Sequence, residues 1–136
     1  MKATIGHIGI NLSNSEESFQ LWKDLFAYLG FSITDEGDHF DAGDGHSYLC
    51  VSTAKGEHTG AGFHRKQTGL NHIAFNVASA DEVDDFVSGF LVPRGIEPLY
   101  GGAKSYTEYT EHYYAAYFED PDRIKVEISY EGPPDS

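Results

Sequence analysis

Gly6-His7-Ile8-Gly9-Ile10-Asn11-Leu12 and Asn71-His72-Ile73-Ala74-Phe75-Asn76-Val77 lie 65 positions apart and share one pattern. His, Ile and Asn recur at the same places, and the apolar residues alternate in phase. Alternation with a period of two marks a β-strand with one covered face. The same offset brings Asn14 onto Ser79 and Glu17 onto Glu82. Each pair reads as an N-cap with Glu three residues later, the capping-box pattern. It also brings Gly30-Phe31 onto Gly95-Ile96, where Gly suits the left-handed residue that ends a helix. One offset thus aligns a strand, a helix start and a helix stop, so the chain reads as two copies of one unit.

Between those signals the spacing is helical. Phe19, Trp22, Leu25, Phe26 and Leu29 fall on one stripe, as do Val83, Phe86, Val87, Phe90 and Leu91. Pro93 is expected to close the second helix. Strand patterns follow in each half: Ser32 to Glu36, Phe40 and Ser47 to Thr53 in the first; Glu97 to Tyr100, Tyr113 to Glu119 and Ile124 to Tyr130 in the second. Turns fall at Gly37, at Gly43-Asp44-Gly45 and at Asp120-Pro121-Asp122-Arg123. The reading is an α+β domain of two tandem β-α-β-β-β modules, with mixed sheets curling around a shared cleft and helices on the outer faces. Module one covers residues 1–54, a glycine-bearing linker 55–69, module two 70–131 and a loose tail 132–136.

Strand alternation also sorts polar residues. Ile8, Ile10 and Leu12 share the face suited to a helix, leaving His7, Gly9 and Asn11 on the other. His72, Ala74 and Asn76 face away from the second helix, as do Lys125, Glu127 and Ser129. Two imidazoles and one carboxylate, if they converge, match the facial set of non-haem Fe(II) sites or the His₂Glu set of some zinc sites. A strand histidine that simply hydrogen-bonds, and a Glu127 that pairs with Lys125 or Arg123, are the plain alternatives.

The chain has 136 residues, with 22 acidic and 9 basic side chains and a formal net charge of -13. That balance speaks against a nucleic-acid backbone or an anionic membrane as partner. The longest apolar or aromatic run, Tyr113 to Phe118, is far shorter than the roughly 20 residues of a membrane helix. No apolar stretch follows Met1-Lys2-Ala3-Thr4, and the single Cys50 forms no internal disulfide. A cytoplasmic protein is expected.

The doubled module resembles the vicinal oxygen chelate superfamily, which contains glyoxalase I, extradiol ring-cleaving dioxygenases, and fosfomycin- and bleomycin-resistance proteins. The stretches that carry the resemblance are Gly6 to Ile10, Leu70 to Phe75 and Tyr113 to Glu127. It implies metal ligands at His7, His72 and Glu127, holding one divalent ion (Fe, Zn, Ni or Mn). A fourth position, a carboxylate in glyoxalase I, falls on Cys50; that departure weighs against glyoxalase chemistry and toward the dioxygenase arrangement. The resemblance implies a small-molecule substrate chelated through neighbouring oxygens, in a glyoxalase-like lyase or isomerase or an extradiol-dioxygenase-like reaction. The alternative is a metal-free drug-binding protein of the bleomycin-resistance type. A homodimer is open in either case.

His7 to Cys50 spans 43 positions, and His72 to Glu127 spans 55. The surplus falls around Gly101 to Glu111, a loop carrying Tyr106 and Tyr109. Pairing of Asp120 with Arg123 would put Tyr114, Ala116 and Phe118 on the face of Glu127. Tyr48, Cys50, Tyr109, Tyr114 and Phe118 are therefore the expected substrate contacts. The basic cluster Lys55, His58, His64, Arg65 and Lys66 is either a solvated loop or a greeting for an anion.

Overall fold

The computed structural model of the chain describes residues 1–13 and 15–133. It divides into two compact units, Met1–Gly62 and one that begins at Phe63. In the first, β1 (His7–Leu12) leads into α1 (Glu16–Tyr28), followed by β2 (Ser32–Asp35), β3 (Phe40–Gly43) and β4 (Tyr48–Thr53). The sheet order is β1-β4-β3-β2. β1 runs parallel to β4, and the remaining pairs are antiparallel. The second unit repeats this with β5 (Ile73–Asn76), α2 (Ala80–Phe86), β6 (Lys104–Ser105), β7 (Tyr114–Glu119) and β8 (Lys125–Tyr130) in the order β5-β8-β7-β6. Two four-stranded mixed sheets, each with one helix, give the expected α+β tandem.

The helix ends show why the halves match. Ser79 Oγ accepts the Glu82 backbone N–H at 3.2 Å, and the Glu82 carboxylate accepts the Ala78 N–H at 2.7 Å. In the first unit the cap is Ser15, whose Oγ accepts the Ser18 N–H at 3.1 Å; the expected cap, Asn14, lies outside the described residues. At the far ends, Gly30 and Gly95 take φ of 82° and 67°. The Phe31 N–H then reaches Phe26 O at 2.9 Å, and the Ile96 N–H reaches Leu91 O at 3.0 Å. These are the six-to-one bonds of a Schellman stop, which need a residue tolerant of the left-handed region. After Phe86 the chain keeps winding, through a wider π-type turn (Val87–Leu91) and a tight turn (Val92–Arg94) that carries Pro93.

Each unit builds its core between its helix and one face of its sheet. Trp22, Leu25 and Phe26 of α1 are buried with Phe40, Ala42, Leu49 and Val51. Val83, Phe86, Phe90 and Leu91 are buried with Ala116, Phe118, Val126 and Ile128. One strand departs from expectation. Only Leu12 of the apolar face of β1 is buried, while Ile8 is 42% exposed and Ile10 half-buried. β1 is an edge strand, paired with β4 along its whole length.

Two further expectations are corrected. The strand read at Glu97–Tyr100 is instead a tight helical turn, Leu99–Gly101, and the edge strand is Lys104–Ser105. Pro98 supplies no N–H, and Tyr100 sits at φ 58°, ψ 25°, which breaks an extended run. The hairpin register also differs. Glu119 pairs with Lys125 and Tyr117 with Glu127, across a loop of five residues. The Asp120 carboxylate accepts from the backbone N–H groups of Asp122 and Ile124, both at 2.8 Å, and Arg123 takes φ 69°. That longer turn shifts the pairing by one residue, which moves every side chain of β7 to the opposite face. Tyr114 and Phe118, expected beside Glu127, face α2 instead. Phe118 packs on Phe86 and Phe90, with ring centroids 5.8 and 6.5 Å apart, and the Tyr114 hydroxyl donates to Asp84 at 2.7 Å.

Candidate functional site

In the second unit, the sheet face turned away from α2 carries Lys125, Glu127 and Ser129 of β8 opposite Glu119, Tyr117 and Ala115 of β7. β5 lies parallel on the other side, with Ala74 beside Glu127. His72 stands two residues before Ala74 and so shares its face. The small Ala74 leaves room above it. His72 Nε2 reaches to 3.3 Å from Glu127 Oε1. Glu127 is 2% exposed, and its second oxygen accepts the Tyr113 hydroxyl proton.

The imidazole is oriented from behind. Its Nδ1 lies 2.7 Å from the Asn71 side-chain oxygen. With the amide in this orientation the oxygen only accepts, and Nδ1 carries the hydrogen. In the neutral ring, Nε2 then presents a lone pair to a buried carboxylate. Two acceptors facing each other at 3.3 Å need positive charge between them, either a proton or a metal ion. Donor atoms about 2.1 Å from one tetrahedral ion lie about 3.4 Å apart, so this pair fits a shared ion.

A wall of tyrosines closes over the carboxylate. Tyr106 stacks on Tyr109 at 6.0 Å and meets Tyr113 and Tyr117 edge-on at 6.3 and 5.7 Å. Tyr117 also meets His72 edge-on at 6.5 Å. These residues come from the surplus loop and the start of β7. Burial, followed by the neighbouring Glu127 charge, pushes the Tyr113 and Tyr117 hydroxyls well above the ordinary phenol range. The bond to Asp84, with burial, pushes Tyr114 up to about 12.

Two expected outcomes follow from this wall. The Tyr106 hydroxyl is buried with no hydrogen-bond partner among the described residues. Removing such a group restores its desolvation cost, so Tyr106→Phe should raise unfolding free energy by about 1 kcal/mol in urea titration; an unchanged or lower value would mean the hydroxyl is solvated. Raised tyrosines also set a pH dependence. Above pH of about 10 the unfolded chain loses phenolic protons that the fold retains, so their contribution is complete below that pH and is lost as pH climbs. Tyr100, lowered by the Lys125 ammonium, works in the opposite direction but is half exposed. The urea midpoint should fall as pH rises from about 10 to about 12, and Tyr113→Phe should flatten that fall. An equal slope in the variant would exclude Tyr113 as a source.

The first unit holds the remaining expected residues. His7 is exposed and stacks on Tyr48, its register partner, with centroids 4.8 Å apart at 14°. Cys50 is half-buried beside Gly9 and Asp41. Its bond to Asp41, with burial, pushes the thiol above its ordinary range, which disfavours the thiolate. Tyr109, in the second unit, is 62% exposed at the rim of the tyrosine wall. In neither unit do the described residues gather three or more His, Cys, Asp or Glu side chains positioned to hold a metal ion. Of the three expected ligands, His72 and Glu127 meet within the second unit, and His7 belongs to the first. Tyr113 and Tyr117 replace Tyr114 and Phe118 at the carboxylate. Only the turn length at Asp120–Arg123 separates those two readings.

Comparison with known proteins identifies the family and the fold. The sequence model of the Glyoxalase/Bleomycin resistance protein/Dioxygenase superfamily matches residues 4–128. YqjT, an uncharacterized protein of Bacillus subtilis (strain 168), is 32% identical over 130 residues, which cover 90% of this chain and 94% of its own. The crystal structure of a candidate glyoxalase from Bacillus halodurans superposes with a TM-score of 0.80 at 32% identity, covering 95% of this chain and 96% of that one. The fosfomycin resistance protein FosX of Listeria monocytogenes gives 0.68 at 16% identity, covering 98% and 97%, and shares the fold. No described helix is long and apolar enough to cross a membrane.

Proposed function

Because this chain belongs to the Glyoxalase/Bleomycin resistance protein/Dioxygenase superfamily, we propose that it is a divalent-metal-dependent enzyme that acts on a small molecule through two neighbouring oxygens. The observation that carries this reading is the approach of His72 Nε2 to 3.3 Å from the buried Glu127 carboxylate. Within the second unit, His72 and Glu127 would hold the ion. When bound, a divalent ion polarises a carbonyl or stabilises an enolate, which suits lyase or isomerase chemistry; Fe(II) suits ring cleavage instead.

The chain's own side chains have separable tasks. Asn71 keeps the His72 ring in the tautomer that leaves Nε2 free. Tyr113 donates to the outer carboxylate oxygen and so fixes which Glu127 oxygen faces His72. The tyrosine wall excludes water from the carboxylate. The Tyr106 hydroxyl, without a partner among the described residues, would donate to a substrate oxygen that reaches it. Tyr48, Cys50 and Tyr109 remain the proposed substrate contacts from the sequence, with Tyr113 and Tyr117 beside the carboxylate. No side chain here is assigned as the proton acceptor.

Metal content of protein purified without chelator tests the reading. About one ion per chain is expected. Protein that stays metal-free when offered Fe, Zn, Ni and Mn would mean that a proton on His72 satisfies Glu127. In that case a metal-free binding protein, of the kind the superfamily description also includes, becomes the better account.

A further inference from the structure

Beside Glu127, on the same sheet face, stands a cation with no counter-charge among the described residues. Lys125 is two residues before Glu127, so the two side chains project from β8 about 7 Å apart. Its Nζ donates to the Tyr100 hydroxyl at 2.9 Å and lies over the rings of Tyr100 and Tyr117, 4.9 and 4.7 Å from their centroids. The carboxylate directly across the hairpin, Glu119, is already engaged by Arg65 and Arg123. Among the described residues no carboxylate lies within ion-pair distance of Lys125. Two arginines thus satisfy Glu119 and leave the Lys125 ammonium over, in a chain whose net charge is -13.

The holder of this cation is itself unusual. Tyr100 takes a left-handed backbone at φ 58°, a region that disfavours a bulky side chain. That conformation places its hydroxyl on the Lys125 ammonium and its ring edge-on to Tyr117 at 5.4 Å. Tyr117 in turn touches His72 on its other side. One aromatic ring therefore separates the fixed cation from the imidazole and carboxylate. Tyr100 is half exposed and Lys125 half-buried, so a solute can reach the ammonium while its methylene stem stays packed.

We propose that Lys125 and the Tyr100 hydroxyl form a subsite for an oxyanion group, carboxylate or phosphate, of the substrate. Lys125 supplies the charge and Tyr100 a hydroxyl that turns its proton toward a second oxygen of the same group. The substrate class is then a small anion whose neighbouring oxygens lie within one aromatic ring's width of its charged end. The subsite deepens the metal-enzyme reading and rests on it for the neighbouring oxygens.

The test uses the full chain, stripped of metal by a chelator that is then removed. It is titrated calorimetrically with inorganic phosphate and, separately, with acetate, at ionic strength held constant with chloride. Wild-type protein should bind at least one of the two saturably, and which one identifies the oxyanion. Lys125→Met keeps the packed stem and should weaken binding at least tenfold; Lys125→Arg should restore most of it, and Tyr100→Phe should weaken it several-fold. A wild type that saturates with neither anion, or a Lys125→Met that binds as well as wild type with unchanged near-ultraviolet circular dichroism, overturns the subsite. Metal titration of the same proteins keeps the two ideas apart. Metal uptake by Lys125→Met equal to wild type, with anion binding lost, supports a separate subsite. Anion binding without metal uptake in any of the proteins leaves the subsite standing and removes the metal reading.

Discussion

Saturation with a divalent ion, at about one hundred times its dissociation constant, is expected to stabilise the protein by about 2.7 kcal/mol. For a chain of this size that is a rise in melting temperature of several degrees. His72→Ala should abolish the increment while changing metal-free stability little, because its side chain is 37% exposed and its loss opens no sealed cavity. Glu127→Gln should abolish it too, for a different reason. The amide keeps an oxygen for the Tyr113 proton and removes a buried negative charge, so the metal-free variant should be as stable as the parent or more so. Thermal unfolding of the three proteins, with and without metal, checks both statements. An increment that survives His72→Ala would take His72 out of the ligand set. A Glu127→Gln that unfolds without metal under conditions where the parent stays folded would mean that the carboxylate's charge is itself structural.

The second large effect lies on the opposite face of the same hairpin. Phe118 is 1% exposed and packs against the stacked pair Phe86 and Phe90. Phe118→Ala should cost about 3–5 kcal/mol through lost burial and the cavity left behind. The metal increment should persist in the fraction that stays folded. The two readouts together test the register. Were Phe118 on the face of Glu127, its truncation would change metal or ligand response with a modest stability cost. Urea titration with and without metal gives both numbers. A cost below about 1 kcal/mol would contradict the pairing of Tyr117, rather than Phe118, with Glu127.

Other features test smaller effects, and they share a cause. The second unit buries the sheet face that the first leaves open. Glu127 and Ser129 are sealed, whereas His7, Gly9 and Asn11 are exposed and Tyr48 is 40% exposed. The loop between β6 and β7 brings Tyr106 and Tyr109 over that face, and the first unit has no counterpart to it. The twelve-residue surplus between His72 and Glu127 was the visible sign of this difference. Its consequence, a buried hydroxyl on Tyr106 and phenols raised at Tyr113 and Tyr117, needed coordinates.

The local parts of the fold could be read directly from residue types. Alternating apolar residues set strand faces, so Leu49 and Val51 point to the core and Cys50 away from it, as the period of two requires. Ser79 with Glu82, and Gly30 with Gly95, mark helix ends because each satisfies orphan backbone groups within a few residues of itself. The repeat at an offset of 65 made the tandem architecture legible because both halves solve the same local problems with the same residues. His72 and Glu127 were legible as candidates for the same reason, each standing on the side of its strand that the helix does not cover.

Tertiary structure decided what depends on pairing between distant or weakly specified segments. The register of β7 against β8 turned on whether the Asp120 carboxylate would gather two backbone N–H groups into a five-residue loop; one residue of slip exchanged Tyr117 for Phe118 at the carboxylate. The approach of His72 to Glu127 across 55 positions, and of Tyr100 to Lys125 across 25, leaves no periodic trace in the chain. Local propensity acts over a turn or two of backbone, whereas these contacts arise only when whole strands align and a loop folds back over them. The order of residues therefore specified the modules and their faces, and the alignment of strands specified which side chains meet.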